Sequence, residues 1–78
     1  MRYTIVKGID DDIRIDLGGN VSIICEVMEI GKAIDYLVFE AEMSGAELLD
    51  FLRRFNVKED LYKDVKPENR YTLTAYDW

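Results

Sequence analysis

Phe39-Glu40-Ala41-Glu42-Met43-Ser44-Gly45-Ala46-Glu47-Leu48 reads as a strand handing over to a capped helix. The alternation of residue types ends at Met43. Ser44 is a good N-cap because its hydroxyl accepts a backbone N–H of the first turn. Glu47, three positions on, reaches back to the N–H of the cap residue and completes a capping box. Met43 just before the cap and Leu48 in the first helical turns are placed to pack as a hydrophobic staple. The helix then runs over about residues 45–55. Leu48, Leu49, Leu52 and Phe55 make one apolar stripe, with Phe51 on its edge. Glu47 and Asp50 near the start, and Arg53 and Arg54 in the last turn, complement the helix dipole. Asn56 is a suitable left-handed stop.

Working outward, residues 1–7 read as a strand, with Tyr3 and Ile5 on one face and Thr4 and Val6 on the other. Residues 8–12 form a polar break suited to a turn. Ile13, Ile15 and Leu17 then alternate with Arg14 and Asp16, the pattern of a half-buried strand. Gly18-Gly19-Asn20 is a hairpin signal, because these residues adopt positive φ cheaply. Residues 21–29 follow as a third strand, with Val21, Ile23, Cys25 and Val27 on one side. Glu29-Ile30-Gly31-Lys32 is the next turn, and residues 33–43 are the fourth strand. After the helix, residues 58–66 admit a helical turn or a packed loop holding Leu61, Tyr62 and Val65, and Pro67 closes it. Tyr71, Leu73 and Ala75 alternate with Thr72, Thr74 and Tyr76, so residues 70–78 are a further strand. The expected fold is α+β: an antiparallel sheet of about five strands, ββββαβ, with one helix packed on one face and a single domain over residues 1–78.

One helix covers only part of one sheet face. In this reading Ile24 and Met28 oppose the side holding Val21 and Val27, while Ile34, Tyr36 and Val38 oppose Leu37, Phe39 and Ala41. Some of these apolar residues must emerge on the uncovered face, which then curls toward a barrel or meets another protein.

Seventy-eight residues, 49% of them hydrophobic, suit one small packed core rather than a disordered chain. The apolar runs are short and interrupted by charge, so no membrane span is expected, nor a leader's apolar segment at the start. Cys25 is alone in the sequence. It has no internal disulfide partner, reads as a small buried hydrophobe, and fits a reduced, cytoplasmic setting. Sixteen carboxylates against ten basic groups leave a net charge of −6. That sign opposes direct binding to nucleic acid or anionic lipid and favours basic surfaces.

With no histidine and one cysteine, Ser-His-Asp and Cys-His sites and zinc sites built from Cys and His are excluded. Glu40 and Glu42, two apart on a strand, point to one face about 6.6–6.8 Å apart. That spacing suits paired carboxylate chemistry or a hard cation, but no phosphate loop or spaced cation loop accompanies it. Asp10, Asp11 and Asp12 lack the alternating ligands and distal glutamate of a calcium loop and read as a solvated turn. No enzyme activity, cofactor or metal is expected.

The remaining reading is a small acidic protein-binding module that inhibits by covering a basic, nucleic-acid-binding surface of another protein. Glu26, Asp35, Glu40 and Glu42, with Asp10, Asp11 and Asp12, supply the electrostatics; Tyr36, Tyr76 and Trp78 are the apolar anchors. Carboxylates two apart on a strand also repeat at about the rise of two nucleotides, roughly 3.4 Å each, as a nucleic-acid mimic would. In size and charge the chain is similar to small acidic phage-encoded antagonists of bacterial defence, anti-CRISPR proteins among them, although no motif carries that likeness. The alternative is a homodimeric structural or assembly protein, motivated by Ile24, Met28, Ile34 and Val38 on the exposed sheet face.

Overall fold

The computed structural model describes residues 2–9, 13–34 and 37–77. Its elements are β1 (Arg2–Gly8), β2 (Arg14–Gly18), α1 (Val21–Ile30), β3 (Lys32–Ile34), β4 (Leu37–Ser44), α2 (Gly45–Arg54), a short 3₁₀ turn over Glu59–Leu61, and β5 (Arg70–Asp77). The sheet is antiparallel throughout and ordered β2-β1-β5-β4-β3. Four strands form its body, and the three-residue β3 extends one edge. The α+β class holds. The order of elements does not.

The main correction is the segment expected as a third strand, which is the helix α1. Ile23 and Ile24 are adjacent, and both are buried. A strand sends neighbouring side chains to opposite faces, so one of the pair would stand in water. A helix sets them about 100° apart on one side, and Val27 one turn later joins them. Burying each of these side chains is worth roughly 1.5–3 kcal/mol, which outweighs the strand preference of Val and Ile. Asn20 is therefore a helix cap rather than a hairpin residue: its side-chain oxygen accepts the Ile23 N–H at 3.2 Å. Gly18 does adopt positive φ, at 66°, but it turns the chain from β2 into α1. Cys25, expected inside, lies on the outer side of this helix and is exposed.

The strand expected over residues 33–43 is instead a reversal. Ile34 pairs with Leu37 and Lys32 with Glu40. Asp35 and Tyr36 between the two strands lie outside the described residues, as do Asp10, Asp11, Asp12 and Trp78.

The second junction follows its sequence. Ser44 Oγ accepts the Glu47 N–H at 3.2 Å, and the Glu47 carboxylate accepts the Ser44 N–H at 3.2 Å and its hydroxyl at 3.0 Å. Met43 and Leu48 are both buried in the core. Asn56 takes the left-handed conformation, φ 55°.

Both helices lie on the same sheet face. Val6, Ile15, Ala41, Met43, Tyr71, Leu73 and Ala75 point to it and meet Ile23, Ile24, Val27, Leu48, Phe51 and Leu52 in one core. The final strand β5 sits at the centre between β1 and β4, so the core closes only when the two ends of the chain pair. Tyr62 and Val65 cap the core beside α2, and the buried Tyr71 hydroxyl accepts the Lys66 N–H at 2.9 Å. Of the residues expected to crowd the open face, Ile24 belongs to the core and Met28 packs against it; the side chains of Ile34, Tyr36 and Val38 lie outside the described ones.

Candidate protein-binding surfaces

Two surfaces remain: the sheet face away from the helices and the outer side of α1. Strand registers set the first in rows. One row runs Lys32, Glu40, Thr74, Ile5 and Asp16 from β3 to β2. The next runs Glu42, Thr72, Lys7 and Arg14 from β4 to β2. A third pairs Tyr76 with Tyr3. Arg70, opposite Ser44, stands at the end of β5 on the same face.

The described side chains of this face are mostly polar; those of Ile34 and Val38, on which the expectation of bare aliphatic surface also rested, lie outside the described ones. Ile9, 50% exposed, borders the first of its hollows, while Ile5 is only 8% exposed and Thr74 9%, sheltered by longer neighbours. It is not an acidic face. Asp16, Glu40 and Glu42 are matched by Lys7, Arg14, Lys32 and Arg70. Two shallow hollows of about 360 and 460 Å³ lie on it, and Glu40 borders both. The first is lined also by Lys7, Thr72, Thr74 and Tyr76, the second by Lys32, Glu42 and Arg70. Glu40 and Glu42 do share a face as their spacing requires, with cations on either side of them. Tyr76 is half-buried and already engaged within the molecule.

Glu26 is removed from this group altogether. It sits on α1, where its Oε1 lies 2.6 Å from Arg54 Nη2 of α2. The structure thus spreads the described members of the expected binding set, Glu26, Glu40, Glu42 and Tyr76, over both sides of the molecule.

The outer side of α1 is different in kind. The helix contains Glu26 and Glu29 and no basic residue. Val21 is 69% exposed and Ile30 51%, with Cys25 between them. Glu29 lies exposed in the last turn, where the helix dipole favours cations, and no basic side chain offsets it there. α2 obeys the same rule at both of its ends. Val21, Cys25 and Glu29 recur every fourth residue and so form one exposed stripe. Sequence reasoning missed them because the segment read as a strand; the absence of any basic residue among ten consecutive positions was the available signal.

Among the described residues no group of three or more His, Cys, Asp or Glu side chains is placed to hold a metal ion. No described helix is long and apolar enough to cross a membrane. No family model matches the chain, and comparison with curated proteins and with solved structures finds no match either.

Proposed function

We infer that this chain is a non-enzymatic protein-binding module that docks through the outer side of α1 on a basic surface of another protein and blocks it. The observation that carries this reading is the exposed α1 stripe, where Val21 and Cys25 stand beside Glu29 with no neighbouring base on the helix. A glutamate held against the dipole costs the fold a little. Local rules broken without local compensation mark positions retained for another reason. An apolar strip that ends in the unpaired Glu29, with Glu26 beside it held by Arg54, suits a partner groove rimmed by Lys and Arg, where the charges guide encounter and the aliphatic groups supply buried area. The net charge of −6 adds long-range attraction to such a partner. The β4 carboxylates contribute less, because Lys32, Lys7 and Arg70 share their face.

The test is parallel capture from a cell lysate on the immobilised chain and on its Val21→Asp/Glu29→Lys variant. A protein with a basic surface retained by the first, lost from the second and released by moderate salt supports the reading. Equal retention on both sinks it, as does a partner whose retention is insensitive to salt.

A further inference from the structure

The rows of the uncovered sheet face have an order that a binding surface for an unrelated partner does not require. Glu40 and Glu42 stand on β4 and Lys7 on β1, the uncharged Thr72 and Thr74 of β5 run between them, and the edge strands add Lys32 on β3 and Asp16 with Arg14 on β2. Within a copy, Glu42 and Lys7 are two strands apart, about 10 Å. Among the described residues neither has an ion-pair partner in its own chain.

We propose that this face is the interface of a two-fold symmetric dimer of the chain, with the axis running along β5. Rotation about that axis places β4 of one copy over β1 of the other and β3 over β2. Glu42 then faces Lys7 of the second copy in the same row. Lys32 faces Asp16 in the row beside it. Symmetry repeats both pairs, giving four complementary contacts around a centre where Thr72, Thr74 and Tyr76 each meet their own copies. Arg70, on β5 at the end of the same face, meets its own copy near the axis, and this one like-charge contact sits at the rim, where solvent screens it. The other in-plane axis, across the strands, would stack β4 on β4 and set Glu40 and Glu42 against the same glutamates of the second copy. Four complementary contacts against one like-charge contact favour the axis along β5.

The eleven positions of the three rows, about 4.8 Å by 6.8 Å each, offer a footprint that buries about 700 Å² over both copies. That is below the size of stable specific interfaces, so the dimer is weak and reversible. Because the interface is polar, it strengthens as salt falls. The helices lie on the far side of each copy. The dimer thus leaves both α1 stripes free and presents them outward, and it stands or fails independently of what α1 binds.

The experiment is sedimentation equilibrium of the intact chain from micromolar to submillimolar concentration, at low and at high salt. A monomer–dimer equilibrium is expected, weakened by salt. Lys7→Glu alone and Glu42→Lys alone each set two like-charge pairs in the interface and should weaken association more than about ten-fold. The double variant K7E/E42K restores opposite signs and should return it to within about three-fold of the wild type. Both side chains are exposed, so circular dichroism should be unchanged in every variant. A chain that stays monomeric throughout, a dimer indifferent to Lys7→Glu, or single variants that the charge swap does not rescue would each overturn the proposal.

Discussion

Arg54 of α2 joins Glu26 of α1 at 2.6 Å, and its guanidinium lies over the rings of Phe51 and Phe55, 5.3 and 5.2 Å from their centroids. One exposed cation thus ties the two helices together across the layer that covers the sheet. An exposed pair contributes little, about 0.2–1 kcal/mol, and the stacked guanidinium adds a comparable amount. Arg54→Ala should therefore destabilise by about 1 kcal/mol and Glu26→Gln by less. A double-mutant cycle in urea should give a coupling below about 1 kcal/mol that shrinks at high salt. A coupling unaffected by salt would show that the ion pair is not what joins the helices.

The Ser44–Glu47 capping box makes a pH prediction. The Ser44 backbone N–H, and then its hydroxyl, hold the Glu47 carboxyl below its ordinary value, with help from Arg70. A depressed folded value means that the contribution is complete above the ordinary glutamate value and is lost as pH falls through the lowered one. The stability gap between the wild type and Glu47→Gln should close across that acidic interval and be flat at neutral pH. Ser44→Ala removes the cap outright and should cost about 1 kcal/mol. A gap unchanged down to strong acid would mean that the carboxylate plays no part.

Gly45 opposes two effects. In the first turn of a helix, alanine is favoured over glycine by up to about 1 kcal/mol. Here a β-carbon would run into the Lys66 carbonyl, in the loop whose Asn69 carbonyl accepts the Gly45 N–H at 2.7 Å. The backbone contact should win, so Gly45→Ala should destabilise by about 1–3 kcal/mol. A stabilised variant would show that the loop yields freely.

Thr4 is fully buried on β1, and its Oγ1 has no hydrogen-bond partner among the described residues. Valine keeps the shape and removes the hydroxyl, so Thr4→Val should raise stability by about 1 kcal/mol or more. The urea midpoint should rise with an unchanged slope. Destabilisation would reveal a bond that the hydroxyl makes in solution.

Glu29→Lys carries opposite consequences for fold and function. It places a cation in the last turn of α1 and should stabilise by about 0.3–1 kcal/mol at low salt. On the proposed function, the same substitution should weaken capture of the basic partner. A variant that gains stability and keeps its binding would remove Glu29 from the docking surface.

How much of this was legible in the chain varies with how local the deciding interaction is. Ser44, Glu47, Asn56 and the start of α2 were readable because a capping box and a left-handed stop involve residues within a few positions of one another. The alternation of β5 was readable for the same reason, since Tyr71, Leu73 and Ala75 share one face under period two alone. The candidate site was less legible. Glu40 and Glu42 were placed on one face correctly, but the cations that border them come from β1, β3 and the start of β5.

The amino-acid order by itself determined the α+β class, the second helix junction, the polar and apolar sides of β5, and the absence of histidine chemistry. Tertiary structure alone decided that Val21, Ile23, Cys25 and Val27 belong to a helix. Their spacing satisfies both periods, and only a sheet face needing cover makes it favourable to bury Ile23 and Ile24 on one side. It also decided which charges share the uncovered face, because its rows are assembled by strand pairings between residues far apart in the chain.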